Sequence, residues 1–108
     1  IFPAIAKSKV KQVSLECMHS RVPMELMKLL KGKDLLVGVI DVASDKVETP
    51  AEVEKVILQA AKHVPAHRIF PCTNCGMAPM DRDIAAAKLR ALVAGAERAR
   101  KKVRKLAR

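Results

Sequence analysis

"LLVGVID", residues 35–41, is a continuous apolar run closed by an acid. A strand with one wet face alternates apolar and polar residues, whereas a strand covered on both faces does not. The run therefore asks for cover on both sides, the setting of a buried strand in a parallel sheet. With 108 residues the chain has room for one small domain around such a sheet.

The flanking segments alternate in kind. "FPAIAKSK" (2–9) reads as the end of a helix, and "VKQVSLE" (10–16) alternates apolar and polar residues as a strand does. "PMELMKLLKG" (23–32) puts Met24, Met27 and Leu30 on one helical face, with Pro23 suited to the first turn and Gly32 to the stop. "TPAEVEKVILQAAKHV" (49–64) has Thr49 as N-cap, Pro50 at N1 and Glu52 in the capping-box position, ahead of an apolar stripe of Val53, Val56, Ile57 and Ala60. "HRIFPCT" (67–73) reads as a short strand, and a last helix is expected over 80–105, with Asp81 and Asp83 at its positive end. The order is α-β-α-β-α-β-α with three parallel strands. That order fits a small doubly wound sheet or an arc of a (β/α)8 barrel. No G-x-G-x-x-G or P-loop follows a strand, so a nucleotide-binding version gains no support.

The net charge of +10 suggests a nucleic-acid partner until its distribution is considered. From Asp81 onward there are ten Lys/Arg against three Asp/Glu, most of the cations falling in "RARKKVRKLAR" (98–108). Such a cluster reads as a solvated helix end that complements the C-terminal dipole, and not as a nucleic-acid surface. Two Phe and no Tyr or Trp also argue against base-stacking modules. No apolar run approaches the roughly 20 residues of a membrane span. Three cysteines, an odd number, without a signal peptide point to a reducing cytoplasm, where thiols act as ligands or nucleophiles.

In parallel α/β folds the working residues lie just past the C-terminal ends of the strands. Here those positions hold Glu16 and Cys17, then Asp41, then Cys72 and Cys75. Thiols and a carboxylate with His19 nearby suit Zn²⁺ better than Mg²⁺ or Ca²⁺. Each residue also has a plainer role. Glu16 can pair with a cation, Cys17 can pack as a small hydrophobe, and Asp41 can cap the turn through "DVASD". Cys72 can point into packing, and His19 can be a solvated loop residue. His63 and His67 precede the third strand, at the other end of the sheet, and read as structural. The C-x-x-C of "PCTNCGMAP" fits neither usual pattern. A thioredoxin-like dithiol opens a helix after the first strand, and a zinc ribbon needs a second C-x-x-C.

"QVSLECMHSRVPMELMKLL", "LLVGVIDVASDKVETPAEV" and "IFPCTNCGMAP" together resemble the C-terminal catalytic barrel of the cobalamin-independent methionine synthase family, nearer to its short single-barrel members. The resemblance covers essentially the whole chain in order. It implies that residues 1–108 are the C-terminal arc of a TIM (β/α)8 barrel, part of a zinc methyltransferase catalytic domain. It implies methyl transfer from a methyltetrahydropteroyl-glutamate to the thiol of homocysteine. The zinc-ligand roles fall on Glu16 in "SLE" and Cys75 in "NCG". Ser20, Arg21 and Asp41 fall at the substrate pocket, and Cys72 has no ligand counterpart.

The family's other two ligands come from an H-x-C motif. The three histidines here are His19, His63 and His67, and none stands two residues before a cysteine. The resemblance therefore implies that the rest of a barrel supplies the missing His and Cys, and that this chain alone is inactive. Rival readings are another zinc-dependent alkyl-thiol transferase, such as an epoxide–coenzyme M transferase, a non-catalytic α/β module with a basic nucleic-acid-binding tail, and a C-x-x-C redox protein.

Overall fold

The computed structural model describes residues 2–16, 28–30 and 32–106. Its elements are α1 (Phe2–Lys7), β1 (Gln12–Glu16), β2 (Asp34–Ile40), α2 (Pro50–Ala61), a single 3-10 turn (Ala66–Arg68), β3 (Ile69–Thr73) and α3 (Arg82–Leu106). The three strands form one parallel sheet in the order β1-β2-β3. The expected helix over 23–32 lies largely outside the described residues. Its end is visible as a 3-10 turn at Lys28 and Leu29, followed by Gly32 at φ 79°, a conformation that favours glycine.

Strand β2 fulfils the demand of its sequence. Leu35, Val37, Val39 and Ile40 are all buried. They share a core with Val13 and Leu15 of β1, Ile69 of β3, Val53, Ile57 and Ala60 of α2, and Leu92, Ala96 and Ala99 of α3. Alternate residues of a strand face opposite ways. The row Ser14–Leu36–Phe70 accordingly leaves Ser14 and Phe70 exposed.

The α2 start follows its sequence signal. Thr49 Oγ1 accepts from the Glu52 N–H at 3.1 Å, Pro50 occupies the first turn, and the Glu52 carboxylate lies 3.9 Å from the Lys46 ammonium. The helix stops at Ala61, three residues short of the expected end, because Lys62, His63 and Val64 turn back onto the carbonyls of Gln59 and Ala60. In α3, Gly95 is required by packing. A Cβ there would stand 2.5 Å from two carbons of Val53 and 2.9 Å from the Pro50 carbonyl oxygen, so the two helices cross at this residue.

Two cations stitch the strand starts together. The Arg68 guanidinium donates to the carbonyls of Lys33 and Leu30 at 2.8 and 3.0 Å. The buried Lys33 ammonium donates to the carbonyl of Ser8 at 3.0 Å and to that of Val10. Each staple reaches from the turn before one strand to the turn before its neighbour.

Candidate functional site

Parallel strands carry their C-terminal ends to one edge, and the register shows what gathers there. Glu16 closes β1 and pairs with Gly38, which pairs with Cys72 of β3. Glu16, Gly38 and Cys72 thus form one row across the sheet. Beyond it the β2–β3 register shifts between Gly38 and Ile40, and Thr73 pairs with Ile40.

Gly38 leaves the room that the next loop needs. A Cβ on it would stand 3.0 Å from the Asn74 Cα and 3.1 Å from its Cβ. The Asn74 N–H donates to the Ile40 carbonyl at 2.9 Å, and its Oδ1 accepts from the Val42 N–H at 3.1 Å. Thr73 Oγ1 donates to the Cys75 carbonyl at 2.8 Å. The loop carrying Cys75 is therefore clamped against the end of β2. Cys75 is exposed and free; Cys72 is half-buried and free. Burial pushes the Cys72 thiol above its ordinary value of 9.0.

Asp41 sits at the same edge, buried, and takes the turn-capping role: its Oδ1 accepts from the Ala43 N–H at 2.8 Å. Its own N–H donates to Glu48 Oε2 at 2.7 Å. Lys88 of α3 reaches in from behind, with none of its surface exposed. Its ammonium donates to the Asp41 carbonyl at 2.8 Å, the Lys46 carbonyl at 2.7 Å and Glu48 Oε1 at 2.9 Å.

Of the residues that the sequence nominates, the edge brings together the Glu16 backbone, Asp41, Cys72 and Cys75. Cys17, His19, Ser20 and Arg21 lie outside the described residues. His63 precedes the 3-10 turn ahead of β3 and His67 lies within it, away from this edge. Among the described residues, no three His, Cys, Asp or Glu side chains come together to hold a metal ion. No described helix is long and apolar enough to cross a membrane. In the basic terminal run, Arg98 and Lys102 engage the buried Glu54 carboxylate at 3.4 and 3.1 Å.

The sequence reading missed Lys88 and Glu48. The available signal for Lys88 was its helical phase: it stands three residues before Ala91 and seven before Gly95, both buried. Glu48 had none, since a glutamate one residue before an N-cap ordinarily faces water.

Parallel strands, covering helices and polar groups gathered at the strand C-termini define an α/β unit of the (β/α)8-barrel class. The chain belongs to the family described as cobalamin-independent synthase, catalytic domain, whose model matches residues 1–98. It is similar to a solved B12-independent methionine synthase from Shewanella sp. W3-18-1 in complex with selenomethionine. That likeness has 48% identity and a TM-score of 0.92, covering 95% of this chain and 30% of the other. It is 36% identical to the methionine synthase of Thermococcus kodakarensis over 88% of its own length and 29% of that protein's. It is 32% identical to the 5-methyltetrahydropteroyltriglutamate–homocysteine methyltransferase of Burkholderia mallei over 99% of its own length and 14% of that protein's. The chain thus spans less than a third of each of these relatives.

Proposed function

We propose that residues 1–108 are the C-terminal part of a zinc methyltransferase catalytic domain, the last three βα units of a (β/α)8 barrel. In the complete barrel the reaction is methyl transfer from 5-methyltetrahydropteroyltriglutamate to homocysteine, the activity named for the Burkholderia relative. The observation that carries the reading is the Asn74 clamp, which binds the Cys75 loop to the strand edge that Glu16 closes. Exposed Phe70 and half-buried Leu36, on the face turned away from the helices, support closure of that face by further strands.

In this reading Glu16 and Cys75 hold zinc together with a His and a Cys from the remainder of the barrel. Thiolate and carboxylate donors suit zinc in kind, and two are too few to make the site alone. Bound zinc supplies a deprotonated, still nucleophilic substrate thiol at neutral pH. The chain's own part is positional. The clamp fixes the Cys75 backbone, and the Asp41 turn, with Ser20 and Arg21, lines the substrate pocket. The setting is a reducing cytoplasm, which keeps Cys72 and Cys75 as thiols.

A segment swap tests the reading. Residues 1–108 replace the matching stretch of the Shewanella enzyme, and zinc content and methionine formation are measured. Zinc near one per chain and turnover are expected, both lost in Cys75→Ser and Glu16→Gln and kept in Cys72→Ser. Full zinc content in the Cys75→Ser swap would sink the assignment. The isolated chain is expected to show no turnover with homocysteine and a methyl-folate donor.

A further inference from the structure

We propose that Lys88 is a positioning residue for this edge, holding the 41–48 loop and, through it, the loop that carries Cys75. An ammonium has three N–H donors. All three find acceptors here: the Asp41 carbonyl, the Lys46 carbonyl and Glu48 Oε1. A lysine so saturated, with no surface exposed, has no proton donor to spare for a substrate and no free lone pair. It acts as a clamp.

The grip passes along the backbone in discrete steps. Glu48 uses one carboxylate oxygen for Lys88 and the other for the Asp41 N–H. Asp41 is therefore held at both of its peptide groups, by Lys88 on the carbonyl and by Glu48 on the N–H. The next residue, Val42, donates its N–H to Asn74 Oδ1, and Asn74 donates its own to Ile40. Cys75 follows directly. A side chain from the last helix thus sets the turns after β2 and β3 relative to each other. It enters from the covered side of the sheet, where substrate does not reach. A neutral residue of similar length would fill the space but leave two carbonyls and a carboxylate without their shared donor.

The link to a reaction rests on the barrel reading above, whereas the test does not. Amide hydrogen exchange is measured on the full 108-residue chain for Lys88→Met and Glu48→Gln. The amides of Asp41, Val42, Ala43 and Asn74 are expected to exchange about tenfold faster or more, while those of α2 and α3 keep their protection. Loss spread evenly over loop and helices, or no change in the loop, would overturn the proposal. Glu48→Gln keeps the shape and an acceptor for the Asp41 N–H while removing the charge that holds the ammonium. It decides the case even if Lys88→Met fails to fold. Neither zinc nor substrate enters this measurement, so an inactive segment swap would count against the barrel reading and leave the loop result standing.

Discussion

Gly95→Ala tests the packing of the helical layer most directly. In an open helix interior this change stabilises by about 1 kcal/mol, because alanine loses less backbone freedom on folding. Here the new methyl would arrive 2.5 Å from Val53 Cβ and Cγ1, where carbon atoms normally rest at about 3.5–4.0 Å. It would also stand 2.9 Å from the Pro50 carbonyl oxygen, a backbone atom that no rotamer change can move. Val53 is fully buried, so relief requires α3 to back away from α2 by about 1 Å along a shared core. Overpacking of this kind costs about 1–3 kcal/mol, and two obstructed neighbours put this case at the upper end. Set against the propensity gain, the net loss is about 2 kcal/mol. At roughly 4–8 °C per kcal/mol for a chain of this size, Tm falls by about 10 °C. Thermal and urea unfolding followed by far-UV circular dichroism read the effect. Gly76→Ala, with no heavy atom near its new Cβ, serves as the control. A Tm unchanged or raised in Gly95→Ala would refute the close crossing.

Gly38→Ala meets Asn74 at 3.0–3.1 Å, so the Cys75 loop must lift; faster exchange of the Asn74 amide is expected, and unaltered protection would contradict the clamp. Lys102, hydrogen-bonded to Glu54, and then Arg98 hold the Glu54 carboxyl below its ordinary value of 4.5, against the opposing effect of burial. A lowered folded-state pKa gives stability that is present above 4.5 and lost as pH falls through the lowered value. The urea midpoint should therefore drop more steeply with acid in the wild type than in Glu54→Gln, and parallel curves would count against the ion pair. Iodoacetamide should alkylate exposed Cys75 ahead of Cys72, whose thiol burial keeps protonated; mass spectrometry giving the reverse order would contradict the placement.

What the sequence disclosed follows from how locally each feature is determined. The β2 run carries its burial in its own composition, and Thr49-Pro50 marks a helix start through backbone groups only two or three residues away. The strand order and the common edge follow from alternation, since parallel strands cannot pair without a crossover between them. The sequence places the β1 and β3 starts two residues early, because Lys11, at the margin of the ladder, only accepts from the Asp34 N–H and residues 66–68 tighten into a 3-10 turn. Asp41 illustrates a limit. Its sequence allowed both a turn cap and a pocket residue, and the cap is visible in its bond to Ala43. The Lys88–Glu48 pair was illegible because its partners are 40 positions apart and neither is the residue type that burial favours. Only tertiary packing brings enough acceptors to one ammonium to make its burial tolerable.

The two cation staples at the strand starts have a consequence for how the molecule comes apart. Arg68 and Lys33 bind carbonyl oxygens, which do not titrate. Glu54 on the helical layer binds cations through a carboxylate, which does, and those cations hold its pKa below the ordinary value. Acid therefore acts on the chain asymmetrically. It loosens the contact that ties α3 to α2 through Glu54, while the cation staples at the strand starts keep their acceptors.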